Sequence, residues 1–129
     1  MTQMVNREET HMMQEKIKKL IAQGENETAE FKSAVKGVPQ SMFETICAFL
    51  NRNGGIILLG VNDEKEVVGI NPEKAETFCK EIVNLSNNPQ KLFPSFLLKA
   101  EAIEFEGKTI IYVFVPQSSQ VHKCNGKVY

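Results

Sequence analysis

Residues 51–70, NRNGGIILLGVNDEKEVVGI, place a glycine pair, an apolar run and a polar turn in close succession. The run from Gly55 to Val61 is too short and too rich in β-branched residues for a helix, so its pattern predicts a buried strand. The polar residues 63–66 predict a turn, and residues 67–70 predict a short returning strand. The segment therefore predicts a β-hairpin that follows a helix.

The glycine pair, Gly54 and Gly55, lies between a predicted helix and a predicted strand. A dinucleotide-binding loop needs the opposite order, because its glycines bring the pyrophosphate to the N-terminus of the helix that follows them. The sequence contains no Walker lysine pattern either. The pair is expected to end a helix and admit a strand, with close approach of its backbone to a ligand as the alternative.

Three segments carry apolar residues at helical spacing. Residues 7–22 have a narrow apolar stripe, which predicts a helix that packs on a partner surface or forms an arm of the domain. Residues 41–52 have a wide stripe and begin with SMFE, a capping-box sequence in which Ser41 is expected to cap a mostly buried helix. The third predicted helix has Asn71 as its N-cap and ends at Asn88-Pro89.

The remaining apolar segments have the length and composition of strands, which predicts strands at residues 28–35, 96–105 and 108–115. The last two meet at Glu106-Gly107, a tight hairpin turn. This order of elements predicts an α+β fold: a mixed, mainly antiparallel sheet of about five strands, packed with two or three helices against one face. A polar tail that includes His122 follows the last strand.

The overall charge excludes a strong global attraction to nucleic acid, because fifteen basic residues face sixteen acidic ones. No apolar run approaches the roughly 20 residues of a membrane helix, and the polar N-terminus does not resemble a secretory signal. The three cysteines are odd in number and far apart, which indicates a reducing compartment. We therefore expect a cytoplasmic protein without a membrane partner.

Three acidic residues lie at the edges of predicted strands: Glu25, Glu30 and Asp63. Convergent carboxylates can hold Mg²⁺ or Mn²⁺, and such a metal could polarise a phosphodiester and activate water. Glu25 and Glu30 converge only if the GENET segment bends, because residues five apart on a strand point to opposite faces. Spacing alone favours solvated surface carboxylates.

Lysines are the candidates for contacts to phosphates. Lys32 and Lys36 are four residues apart and share a face if the segment between them is extended. Lys16, Lys18 and Lys19 crowd the first predicted helix. Either group could contact a nucleic-acid backbone, although exposed lysines are usually solubilising.

Three ordered motifs resemble the Schlafen Alba-like domain. They are GENETAEFKSAV, with the E-x-x-x-x-E-F-K opening; ICAFLNRNGGIILLGVNDEKEVVGI, with Ala-Phe-x-Asn, Gly-Gly and Gly-Val-x-Asp; and EGKTIIYVFVPQSS with the following VHKCNGKVY. The resemblance covers about residues 22–129. It implies a Schlafen Alba-like domain at residues 23–129, expected to be excised from a longer protein, and leaves residues 1–22 as an expected N-terminal helical arm.

The resemblance also carries functional expectations. In bacteria this domain commonly opens longer proteins described as transcriptional regulators or as relatives of ATP-dependent RecG-type helicases, and it is usually called a DNA-binding domain. In vertebrate Schlafens a related fold acts as an endoribonuclease with a three-carboxylate site. Carried onto this sequence, that site implies Glu25, Glu30 and Asp63 as catalytic residues and as ligands of Mg or Mn.

The leading hypothesis is therefore a nucleic-acid-binding module of a bacterial regulator, with DNA favoured over RNA. Its expected binding residues are Lys32, Lys36, Asn51, Gly54 and Gly55. A Mg- or Mn-dependent endoribonuclease is the enzyme alternative, and an oligomerisation module, such as a homodimer, is the structural one. Both hypotheses about nucleic acid require the E-F-K strand to lie beside the Gly-Val-Asn-Asp strand, so that their charged ends share a surface.

Overall fold

The computed structural model describes residues 7–129. Its three helices are α1 (Arg7–Gln23), α2 (Ser41–Asn51) and α3 (Pro72–Ser86). Its seven strands are β1 (Ala29–Lys32), β2 (Gly55–Leu59), β3 (Leu92–Phe93), β4 (Lys99–Phe105), β5 (Lys108–Val115), β6 (Lys123–Cys124) and β7 (Lys127–Val128). No helix within this part of the chain combines the length and the apolarity that crossing a membrane requires.

The strands form two sheets. The main sheet has the order β1-β2-β5-β4, in which β1 and β2 are parallel and the other neighbours are antiparallel. The second sheet contains the short strands β3, β6 and β7. The prediction of a mixed, mainly antiparallel sheet is confirmed, with four strands in the main sheet and three in the other.

Helices cover both faces of the main sheet, and the expectation that they share one face is wrong. On one face, α2 and α3 pack over Ile57, Ile111 and Val113. On the other face, α1 buries Ile17 completely against a cluster that includes Leu58 and Tyr112. The narrow stripe of α1 therefore packs on the sheet of its own chain.

Two predictions from local sequence chemistry are confirmed. Asn71 is the N-cap of α3, and its side-chain oxygen accepts the backbone N–H of Glu73 at 2.9 Å. Glu106 and Gly107 have φ angles of 50° and 80°, as the tight turn between β4 and β5 requires. In both places the conformation depends on neighbouring residues, which is why the sequence predicts it well.

Two predictions at the start of the domain are wrong. The capping box does not form: Gln40 is the N-cap of α2 without a side-chain cap bond, and the Ser41 hydroxyl accepts a hydrogen bond from Lys32. The first strand ends at Lys32 because Ala34 accepts the N–H of Gly37 and closes a turn. A tertiary contact and a local turn thus override the sequence pattern.

Two further segments differ from expectation. Residues 67–70 form only isolated bridges, because the N–H groups of Val68 and Gly69 both donate to the carbonyl of Gly60. The expected polar tail forms β6 and β7, and it buries His122 completely. The tail is therefore part of the packed structure.

Candidate functional site

The parallel pairing of β1 with β2 confirms that the E-F-K strand lies beside the Gly-Val-Asn-Asp strand. Lys32 is opposite Leu59, and the carbonyl of Lys32 accepts the N–H of Gly60 at 2.7 Å. The carboxyl ends of both strands therefore lie together. In sheets with parallel strands, ligands commonly bind in the crevice outside these ends.

A cavity of about 460 Å³ opens at these carboxyl ends. We call it the acidic cavity; its polar lining comprises Glu30, Lys32, Ser33, Ser41, Asn62, Asp63 and Glu64. Three carboxylates and one ammonium give these side chains a formal charge of −2. The lining therefore attracts cations more strongly than phosphates.

The ammonium group of Lys32, which lines the acidic cavity, is held by its neighbours. The Lys32 side chain is only 12% exposed, and its Nζ lies 3.5 Å from the Glu30 carboxylate. The same Nζ donates a hydrogen bond of 3.1 Å to the Ser41 hydroxyl. An entering phosphate would have to compete with both contacts.

The three predicted carboxylates are only partly brought together. Glu30 and Asp63 line the acidic cavity, whereas the Glu25 carboxylate accepts the backbone N–H of Phe31 at 2.9 Å. Within residues 7–129, no group of three or more His, Cys, Asp or Glu side chains is arranged to hold a metal ion. The side chains as placed do not form a three-carboxylate ligand set, and metal binding stays a prediction.

Lys36 lies apart from Lys32. It lines another cavity, of about 240 Å³, together with Asn71 and Lys74. The strand ends at Lys32 and a turn follows, so the segment between the two lysines is not extended and the condition for a shared face is not met.

Asn51 binds the end of its own chain. Its side-chain oxygen accepts the N–H of His122 at 2.7 Å, and its Nδ2 donates to the His122 carbonyl at 2.9 Å. The Cys47 thiol donates to the same carbonyl at 3.2 Å, and burial raises the pKa of this thiol. The observed role of the Asn51 amide is to attach the tail to α2, and a contact to nucleic acid stays a prediction.

The glycine pair lies where α2 has ended and β2 begins, as predicted, and it also allows close packing. Gly54 has a φ of 75°, and a Cβ at this position would lie 2.6 Å from the carbonyl oxygen of Val115. A Cβ on Gly55 would lie 2.6 Å from the ring of Phe49. Larger residues would collide with backbone or with a buried ring, which explains both glycines without a ligand.

Asn62 is a structural residue that the sequence reasoning missed. Its side-chain oxygen accepts the N–H groups of Glu64 and Glu66 at 3.0 and 2.9 Å. Its Nδ2 donates to the Glu66 carboxylate at 2.8 Å. Asn62 thereby fixes the turn that carries Asp63. An asparagine at the start of a polar turn is the signal that could have revealed it.

Comparison with known proteins gives a family and a shared fold. The solution NMR structure of the N-terminal domain of a RecG-related protein from Nitrosomonas europaea matches with a TM-score of 0.59 and 22% identity, over 84% of this chain and 72% of that one. A crystal structure of a Corynebacterium diphtheriae protein matches with a TM-score of 0.60 and 11% identity, over 94% of this chain and 24% of that one. This chain thus spans about a quarter of the second protein.

The two structural matches show a shared fold and nothing more, because sequence identities of 22% and 11% are too low to indicate a shared function. The family match covers far more than half of the chain: the model described as Schlafen, AlbA_2 matches residues 25–129. The matched residues include the strand with Glu30 and the turn with Asp63, which meet at the acidic cavity. The chain therefore belongs to the Schlafen AlbA_2 family.

Proposed function

We propose that this chain is a nucleic-acid-binding module, with DNA as the favoured ligand. Family membership supports the proposal, as does the fold shared with the N-terminal domain of a protein whose name relates it to the ATP-dependent DNA helicase RecG. The Corynebacterium diphtheriae structure contains the same fold within a longer chain, as expected of a module.

The family match over residues 25–129 is the observation that carries the proposal. The pairing of β1 with β2 brings two of the motifs that resemble the family, the E-F-K strand and the Gly-Val-Asn-Asp strand, to one surface. That surface has open space, hydroxyl and amide groups, and charged side chains of both signs. Because Lys32 is already bound to Glu30 and Ser41, we expect phosphates to be contacted mainly by other lysines.

A titration of the chain into labelled nucleic acid tests the proposal. Fluorescence anisotropy with single-stranded DNA, duplex DNA and RNA is measured at low salt and repeated as salt rises. We expect binding in the micromolar range that weakens with salt, and tighter binding to DNA than to RNA. No binding at high micromolar protein concentration contradicts the proposal. Light scattering on the same samples tests the homodimer.

The endoribonuclease alternative has one observation in its favour. Glu30 and Asp63 line the same cavity, whose formal charge of −2 suits a divalent cation. Incubation of structured RNA with Mn²⁺ or Mg²⁺ tests this activity, with Glu30→Ala as the matched variant. Cleavage that Glu30→Ala leaves unchanged argues against this site.

A further inference from the structure

A second charged cavity borders the turn that contains Asn62. It has a volume of about 300 Å³ and lies between α1, this turn and the β4–β5 hairpin. We call it the lysine cavity; its charged lining comprises Lys18, Lys65, Glu106 and Lys108. Three ammonium groups and one carboxylate give these side chains a formal charge of +2.

Lys65 is held at this cavity by its backbone and by a hydrogen bond. Its φ of 65° is uncommon for a residue with a side chain. Its Nζ donates to the carbonyl of Ala22, in the last turn of α1, at 3.3 Å. A cation near the C-terminus of a helix also interacts favourably with the helix dipole. Lys65 therefore links the turn to α1.

The other two lysines are carried by packed elements. Lys108 begins β5, and its stem passes so close to Gly69 that a Cβ there would lie 3.1 Å from Lys108 Cβ. Lys18 follows Ile17, the completely buried residue that fixes α1 on the sheet. Within the described part of the chain, neither Lys18 nor Lys108 forms an ion pair with a carboxylate. These two ammonium groups differ in this respect from that of Lys32.

We propose that the lysine cavity binds a phosphodiester group of a nucleic-acid backbone. The inference rests on the proposed function and gives it a contact surface that is separate from the acidic cavity. An anionic phosphodiester is the chemical class that three ammonium groups around an open cavity recognise. Phe105, which also lines the cavity, is only 4% exposed, so it offers no ring on which a base could stack. Recognition here is therefore of the backbone and independent of base sequence.

The cavity is complete only when α1 lies on the sheet. Lys18 belongs to α1, whereas Lys65 and Lys108 belong to the turn after β2 and to β5. Loss of α1 from the sheet would remove one ammonium group and the carbonyl that holds Lys65. The helical arm is thus part of the binding surface, and it also covers the core.

Charge-removing variants test the inference in the complete chain. Lys18→Gln, Lys65→Gln and Lys108→Gln are each compared with Lys80→Gln, which removes an equal charge from α3 on the opposite face. We expect each cavity variant to weaken DNA binding about fivefold to tenfold near 0.1 M salt, and to reduce the salt slope by about one unit. Lys80→Gln is expected to change affinity less than twofold, in keeping with its position outside the surface.

Two more variants have expected results that unfolding could not produce, namely tighter binding and retained binding. Glu106→Gln removes the one carboxylate that residues 7–129 contribute to the lining, so it is expected to tighten binding severalfold. Replacement of all three lysines by arginine retains the charge and is expected to retain binding. Thermal unfolding of each variant checks that the fold is intact. A Glu106→Gln variant that binds no more tightly than the wild type contradicts the inference.

The outcomes separate this inference from the proposed function. A variant in which Lys18, Lys65 and Lys108 are all replaced by glutamine separates the two proposals. If the wild type and this variant bind DNA equally well, the lysine cavity is excluded as the binding site while nucleic-acid binding stands. If the wild type binds neither DNA nor RNA, both proposals fail. If lysine-dependent binding is seen with anionic phospholipid vesicles and not with nucleic acid, the cavity binds phosphate groups from lipid, and the assignment to a nucleic-acid backbone is overturned.

Discussion

The acidic cavity and the lysine cavity border one turn but have opposite charge. Asp63 and Glu64 line the first, and Lys65 lines the second. The formal charges of the two linings are −2 and +2, whereas the whole chain carries −1. A near-neutral sequence therefore conceals two local fields of opposite sign, and overall charge gives little information about partners here.

The backbone of the turn separates these charges. Lys65 has a positive φ, whereas Asn62 holds the N–H groups of Glu64 and Glu66 on its side-chain oxygen. Adjacent acidic and basic side chains are thereby directed to different cavities. The separation of the two cavities therefore depends on Gly60, which joins β2 to this segment, and on Asn62, which fixes the turn.

The largest effect is expected from Gly60→Ala, which should disturb both cavities. Gly60 has a φ of 105°, and a Cβ would lie 3.2 Å from Ile110 and 3.3 Å from Gly69. Backbone strain and close contacts together should lower the free energy of unfolding by about 2–4 kcal/mol. Urea unfolding measures this value.

Gly126→Ala is the matched control, because Gly126 also has a positive φ but has open space around the position of a Cβ. Its free energy of unfolding should fall by only about 1 kcal/mol, which is the cost of placing alanine at a positive φ. Equal losses in the two variants would contradict the argument that Gly60 is required by the packing around it.

A smaller effect is expected from Asn62→Ala, which removes three hydrogen bonds within the turn. The free energy of unfolding should fall by about 1–2 kcal/mol, because the bonds are close to solvent. Affinity for DNA should also fall, since Lys65 is no longer held beside α1. Asn88→Ala is the control, because the side-chain oxygen of Asn88 accepts a single N–H, that of Gln90. If Asn62→Ala retains the affinity of the wild type, Lys65 does not depend on the turn.

Local chemistry made much of the fold predictable. Asn71 as an N-cap and Glu106-Gly107 as a turn depend on adjacent residues, and both are confirmed. The pairing of the E-F-K strand with the Gly-Val-Asn-Asp strand, which both hypotheses about nucleic acid required, is also confirmed. Of the patterns that depend on neighbouring residues, the N-cap of α3 and the hairpin turn are confirmed, whereas the capping box at Ser41 is replaced by a contact with Lys32.

Contacts between distant residues could not be predicted in the same way. His122 belongs to a polar segment, yet it is buried because Asn51, far away in the sequence, bonds both its N–H and its carbonyl. Lys18, Lys65 and Lys108 come from three elements, and no spacing in the sequence indicates that they line one cavity. Each feature depends on how helices and strands pack, which composition and periodicity do not specify.

A third prediction compares lysines of the two cavities. Lys32→Gln removes the ion pair with Glu30 and should lower the free energy of unfolding by about 1 kcal/mol. Its effect on DNA affinity should stay below twofold, because Lys32 is bound within the protein. Lys65→Gln should show the reverse pattern, with weaker DNA binding and a small change in stability. Anisotropy and urea unfolding on both variants measure the two quantities. A larger loss of affinity in Lys32→Gln would move the phosphate contact to the acidic cavity.

The smallest effect is expected from a change of pH, which should alter the stability of the core before it alters DNA binding at the lysine cavity. Burial raises the pKa of the Cys47 and Cys124 thiols above the ordinary value of 9.0, so the folded state keeps both protons when the unfolded state loses them. The contribution of these thiols to stability is therefore fully present well below pH 9.0, and it is lost as pH rises through 9.0 toward the raised pKa of the folded state. DNA affinity should persist at the onset of this decline, because neither cysteine lines the lysine cavity. Urea unfolding and anisotropy at matched pH values measure the two curves. Cys47→Ala should reduce the decline in stability, and an unchanged decline would show that other groups cause it.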